Sequence, residues 1–164
     1  MEDPVAIAVG DPIPDVVLMM PTAGGPKRVR STIALGRGTV VLFGVPGAFT
    51  PACSELHLPG YVLRAQELRE RGVDVVACTS TNDAFVLGAW AESHGVGDTV
   101  LMLADGNAEF ATAAGLTMDG TRFGLGTRSE RYAAILDDGV VRWIGVEDRS
   151  TVDVSGVESV LARL

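Results

Sequence analysis

Seven consecutive residues, Thr39–Val45 (TVVLFGV), are apolar or β-branched and carry no charge. A run of this kind is a strand buried on both faces. Such a strand needs helices above and below it, so the chain is constrained to an α/β fold. The next eight residues, Pro46-Gly47-Ala48-Phe49-Thr50-Pro51-Ala52-Cys53, add a second constraint. Thr50 suits an N-cap and Pro51 the first helical position, so a helix starts directly behind the strand. It is expected to run to about Arg71 and to stop at Gly72, with Arg69 and Arg71 in its last turn. Pro59-Gly60 interrupts it and predicts a kink or break near the second turn.

The rest of the chain continues the alternation. Residues 1–38, rich in Pro and Gly, read as an edge strand or hairpin leading into the domain. Residues 73–79 (VDVVACT) form a second buried strand, 82–94 a helix, 99–104 a third strand and 107–114 a short helix. Residues 115–130 read as a Gly-rich loop. Residues 131–136 and 140–146 flank Asp137-Asp138-Gly139 and predict a hairpin. A helix over 157–164 closes the chain. At 164 residues, 47% hydrophobic and 21% charged, residues 1–164 fit one domain that buries a full core without metal or disulfide staples. A right-handed βαβ crossover puts the C-terminal ends of strands 39–45 and 73–79 on one sheet edge, where open α/β sheets carry their sites.

Charge narrows the function classes. Thirteen basic against 21 acidic residues leave a net charge of −8. That disfavours a nucleic-acid partner, which demands a basic face, and docking on an anionic membrane. No apolar run reaches the roughly 18 residues of a transmembrane helix. The start, Met1-Glu2-Asp3-Pro4, lacks the basic and apolar stretches of a signal peptide. Two cysteines, Cys53 and Cys78, are too few for a secreted disulfide scaffold. The expected location is therefore the reducing cytoplasm, where a cysteine is kept more for reactivity than for stapling.

Cys53 stands in the first turn of its helix, where free N–H groups and the helix dipole favour a thiolate. Cations would favour it further, and the candidates are Arg128 and Arg131; taken alone, each also reads as a solvated surface charge. Thr50 either caps the helix or turns its hydroxyl toward the sulfur or a substrate oxygen. Pro46 would shield the thiolate from solvent. His57, one turn after Cys53, reads more readily as a structural hydrogen-bonding residue than as a base. Cys78, inside an apolar strand, reads as core. Cys53, His57, Cys78 and His94 lack the paired local spacing of a zinc site, so no metal is expected.

The string from Val45 to Ser54 (VPGAFTPACS), followed by His57-Leu58-Pro59-Gly60, closely resembles the active-site segment of peroxiredoxins, and its Gly-Ala-Phe form resembles the type II subgroup. The resemblance continues through 75–78, 82–86, 103–106 and 124–132. It implies a thioredoxin-like α/β fold: a central mixed sheet, helices on both faces and an N-terminal β extension. It implies a thiol-dependent peroxidase for hydrogen peroxide and small alkyl hydroperoxides, acting through a Cys53 sulfenic acid. By matching position, Cys53 is the peroxidatic cysteine, Thr50 orients the peroxide, Pro46 shields the thiolate and Arg131 activates thiolate and peroxide. Gly47, His57 and Arg128 are candidates for the substrate pocket. No metal, haem or flavin is needed.

Some relatives carry a resolving cysteine near the C-terminus, but here Val154-Ser155 occupies that region. Cys78, 25 positions after Cys53, resembles the spacing of plant-like type II members and is a possible resolving or regulatory thiol. The alternative is a one-cysteine cycle with an external thiol such as glutathione, mycothiol, glutaredoxin or thioredoxin as partner. A homodimer is expected from the resemblance alone. Two competing functions are weaker. A thiol–disulfide oxidoreductase would need cysteine where Thr50 stands. A redox sensor or non-catalytic interaction module has no need of Pro46, Thr50, Cys53 and Arg131 together.

Overall fold

In the computed structural model, which describes residues 5–148 and 151–164, the buried run Thr39–Val45 is the centre of a seven-stranded mixed sheet. Met1–Pro4, read above as free of a signal sequence, lie outside the described residues. In chain order the strands are β1 (Val17–Met20), β2 (Lys27–Arg30), β3 (Thr39–Val45), β4 (Val75–Ser80), β5 (Leu101–Ala104), β6 (Thr117–Asp119), β7 (Thr127–Ser129), β8 (Tyr132–Asp137) and β9 (Val140–Val146). The large sheet has the order β2-β1-β5-β4-β3-β8-β9. β3, β4 and β5 are parallel, and the remaining pairs are antiparallel. The β1–β2 hairpin extends the sheet at the β5 edge, as expected for the N-terminal region.

The helices are α1 (Ser31–Leu35), α2 (Leu58–Glu70), α3 (Ala84–Ser93), α4 (Glu109–Ala113) and α5 (Val157–Leu161). Side chains alternate across a strand, so β3 serves two cores at once. Val41, Phe43 and Val45 pack with Leu58, Tyr61 and Leu68 of α2, Leu87 and Trp90 of α3, and Val160 of α5. Val40 and Leu42 pack on the other face with Leu35 of α1 and Phe110 of α4. Both cysteines belong to the first of these cores. Asp138 and Gly139 both take positive φ, +46° and +80°, the backbone of a type I′ turn, which makes β8–β9 the expected hairpin.

Two expectations need correction. Residues 115–130 are not all loop: β6 and β7 pair as a small antiparallel sheet around a 3₁₀ turn, Thr121–Phe123. Three-residue strands have no periodicity to read, and their pairing is decided by the chain around them. The interruption by Pro59-Gly60 is not a break either. Residues Cys53–His57 form a π-helical segment that runs straight into α2. The Leu58 N–H donates to the Cys53 carbonyl, five residues back. Pro59 has no N–H to give and its ring crowds the carbonyl four residues before it; a locally widened turn relieves both.

Candidate active site

β3 delivers residues 46–50 to the C-terminal edge of the parallel strands, and the loop is held there by its own polar groups. Thr50 Oγ1 donates to the Gly47 carbonyl at 2.6 Å, so the hydroxyl does not cap the helix by its side chain. The Ala48 N–H donates to Asn82 Oδ1 at 2.8 Å, and Ser80 Oγ donates to the same oxygen at 2.6 Å, tying the loop to the end of β4. Arg128 Nη1 reaches the Pro46 carbonyl at 3.3 Å while its Nε donates to the Leu125 carbonyl at 2.8 Å. A Cβ on Gly47 would stand 3.1 Å from Thr50 Cγ2 and 3.2 Å from Arg128 Nη1, so the approach of these two side chains favours glycine. Phe49, at φ +65°, is a non-glycine residue in the left-handed region, a local strain of about 1–2 kcal/mol held by this network.

Cys53 and Arg131 meet in the interior. Arg131, the residue before β8, is 7% exposed; it is not the solvated charge that its sequence position alone suggests. Its Nη2 donates to Cys53 Sγ at 3.1 Å and its Nη1 lies 3.1 Å from His57 Nδ1. Arg131 Nε has no hydrogen-bond partner among the described residues. A guanidinium has donors only, so His57 Nδ1 accepts. The other ring nitrogen, Nε2, lies 2.9 Å from the Ser155 carbonyl and must therefore donate. The two contacts select one tautomer: neutral, with the proton on Nε2. His57 is 1% exposed and both its nitrogens are engaged, so it orients Arg131 and is not a wall of an open substrate pocket.

Burial, reinforced by the neighbouring Arg131 cation, pushes the His57 pKa down from 6.5 to about 3. A depressed folded-state pKa means the unfolded chain takes the proton first. Stability from this group is complete above pH 6.5 and is lost as pH falls toward 3. The expected slope is roughly 1.4 kcal/mol per pH unit within that window. Urea denaturation across the window measures it. His57→Gln, which keeps an acceptor and a donor but does not titrate, should flatten this part of the curve; an unchanged slope would contradict the buried neutral imidazole.

Two aromatic rings, Phe43 and Tyr61, pack against the imidazole. Phe43 stacks on Tyr61 at 4.1 Å between centroids and lies 5.0 Å from the His57 ring. Tyr61 Oη donates to the same Ser155 carbonyl at 2.6 Å. Trp90 Nε1 donates to Ser54 Oγ at 2.9 Å and ties the π-helical segment to α3. Cys78 is fully buried in β4 between Phe43 and Met102. Burial raises its thiol pKa well above the ordinary value, with the nearby Cys53 as a further cause. Asn82, Tyr61 and Ser155 were not among the site residues expected from sequence. Ser155 lies 98 positions from His57, and no local pattern marks such a contact.

The arrangement is a buried sulfur paired with a buried cation whose Nε N–H has no partner among the described residues. It can stabilise a thiolate and a neighbouring developing oxyanion. The Redoxin family model matches residues 8–161. Chloroplastic Peroxiredoxin-2E of Arabidopsis thaliana is 46% identical, over 97% of this chain and 70% of that protein. Peroxiredoxin-2B of the same plant is 41% identical, over 96% of this chain and 98% of that protein. Among solved structures, reduced Prx3 from Vibrio vulnificus in complex with hydrogen peroxide superimposes with a TM-score of 0.91 at 46% identity, covering 96% of this chain and 98% of that one.

Proposed function

This chain belongs to the redoxin family and is a type II peroxiredoxin, a thiol-dependent peroxidase of antioxidant function; on that premise we propose that Cys53 is its peroxidatic nucleophile and that Arg131, Thr50 and Pro46 complete the site. The observation that carries this reading is the 3.1 Å contact of Arg131 Nη2 with Cys53 Sγ in the interior. The Cys53 thiolate attacks one peroxide oxygen. A sulfur–oxygen bond forms, the oxygen–oxygen bond breaks, and the departing oxide takes a proton to leave as water or alcohol. Arg131 holds the thiolate through Nη2, and its unpartnered Nε is a donor for a peroxide oxygen. The Thr50 hydroxyl already donates to Gly47, so its lone pairs are left to accept the peroxide proton. Pro46 shields the sulfur, and Arg128 fixes the Pro46 carbonyl from the rim. Peroxide consumption with dithiothreitol as reductant tests the reading. Steady consumption is expected; none, with Cys53 intact, would sink it.

For the return step we favour an external thiol. Its sulfur attacks the Cys53 sulfenic acid and releases water, and a second thiol frees Cys53 from the mixed disulfide. Cys78 has no exposure and a raised thiol pKa, which makes it a poor attacking group. Glutathione, mycothiol, glutaredoxin and thioredoxin are the candidate donors. Cys78→Ser should keep most turnover with at least one of them and lose about 1–3 kcal/mol of stability if its hydroxyl finds no partner. Steady-state turnover beside the parent is the check. A loss of more than about tenfold with every donor would make Cys78 the resolving thiol of an internal disulfide.

The proposed setting is the cytoplasm, which keeps both thiols reduced. The proposed assembly is a homodimer. Phe49 and Phe85, 55% and 73% exposed, follow the C-terminal ends of the adjacent strands β3 and β4 and offer apolar surface for a second copy to cover.

A further inference from the structure

The guanidinium of Arg131 is aimed by His57, and His57 is held by a carbonyl from the loop before α5. That loop has its own anchor. Glu147 Oε2 accepts from the Asp153 N–H at 2.6 Å, the Ser155 N–H at 2.9 Å and Ser155 Oγ at 2.6 Å. The Ser155 carbonyl so placed accepts from His57 Nε2 and Tyr61 Oη. Glu147 also reaches Arg131 directly, since its backbone N–H donates to the Arg131 carbonyl at 2.9 Å. One residue just past β9 therefore grips Arg131 at both ends, its main chain by a backbone bond and its guanidinium through Ser155 and His57.

We propose that Glu147 is a positioning residue of the peroxidase site, setting the Arg131–Cys53 contact through the Ser155 loop and His57. This rests on the assignment of Cys53 and Arg131 made above. The Glu147 carboxylate bonds Asp153 and Ser155 and not the sulfur or the guanidinium, so it acts on them through the groups between. The carboxylate suits the task. Burial pushes its pKa up, but the hydrogen bonds from Ser155 and Asp153 outweigh that and hold it below the ordinary carboxylate range. An ionised acceptor gathering three donors is stronger than a neutral one, and it fixes Asp153 and Ser155 against the end of β9. With the loop released, the Ser155 carbonyl is no longer fixed, the Nε2–H tautomer of His57 loses one of its two selectors, and the imidazole no longer aims Arg131 at the sulfur.

The test compares Glu147→Gln, Glu147→Ala and Ser155→Ala with the parent in the full chain. Leu35→Ala, in the core on the opposite sheet face, is the control for lost stability alone. Ultraviolet thiolate absorbance against pH and the second-order rate with hydrogen peroxide are both read. Glu147→Ala should move thiolate formation upward by about one pH unit and slow peroxide reduction about tenfold. Glu147→Gln, which keeps a neutral acceptor, should fall between it and the parent. Leu35→Ala should melt earlier with neither readout changed. The proposal is overturned if Glu147→Ala behaves like Leu35→Ala, less stable but with thiolate profile and rate unmoved. Should Glu147→Ala fail to fold, Ser155→Ala, which removes one of the three hydrogen bonds, decides by the same two readouts. Activity surviving in Cys53→Ser, read in the same assay, would instead overturn the underlying assignment of the nucleophile.

Discussion

Cys53→Ser is expected to abolish peroxide reduction, by about three orders of magnitude or more, while the protein stays folded. The reason is ionisation, not shape. An alcohol oxygen is close in size to the sulfur and can still accept from Arg131 Nη2, so the buried contact survives. A serine hydroxyl is not deprotonated near neutral pH, and even beside a cation it supplies too little oxyanion to attack a peroxide. The core contacts of Cys53 with its sheet face are kept in outline, so the melting temperature should move little. Peroxide consumption and thermal melting, measured together, make the check. A Cys53→Ser protein with activity within a few-fold of the parent would refute the assignment.

Arg131→Ala should be nearly as severe, about a hundredfold to a thousandfold in rate. Two effects combine. The sulfur loses the cation hydrogen-bonded to it, so thiolate formation moves to higher pH. The transition state loses a preorganised donor, the Nε N–H proposed above to meet a peroxide oxygen. The first loss is recovered when pH is raised until the thiol is fully ionised; the second is not. The rate plotted against pH separates them. Recovery of the full parental rate at high pH would reduce Arg131 to a stabiliser of the thiolate. Arg131→Lys should lie between, since an ammonium carries the charge but lacks the planar fork that spans His57 Nδ1 and Cys53 Sγ together. Removal of Arg131 also strands the buried His57 Nδ1 acceptor, which adds a stability loss of about 1–3 kcal/mol.

What could be read in advance follows a physical division. β3, the helix start at Pro51 and the β8–β9 turn at Asp138-Gly139 are local features, decided by side-chain burial, capping and backbone preference within a few residues. They stand where the sequence places them. The segment Cys53–His57 does not carry its π turn on its face. Pro59 announces a disturbance, and only the surroundings choose a widened turn over a break. The β6–β7 pair depends on two short stretches meeting across a 3₁₀ turn. The motif around Cys53 marks Thr50 and Cys53, and the segment 124–132 marks Arg131, by resemblance, yet the burial of Arg131 requires His57 and Cys53 on one side of it, and the strand after it to deliver it there. The Ser155 carbonyl is harder still. It is a backbone group, so its side chain says nothing of its role, and its partners lie 94 and 98 residues away.

The central claim is that the Cys53 thiolate itself takes an oxygen atom from peroxide. Intact mass after one equivalent of hydrogen peroxide, followed by peptide mapping with a sulfenic-acid trap, measures this without a turnover assay. The expected result is a gain of one oxygen, trapped on the peptide that carries Cys53 and converted to a mixed disulfide when a small thiol is added. A loss of two hydrogens would show a Cys53–Cys78 disulfide and place Cys78 in the cycle. An oxygen found only on methionine, or no change in mass, would contradict the account.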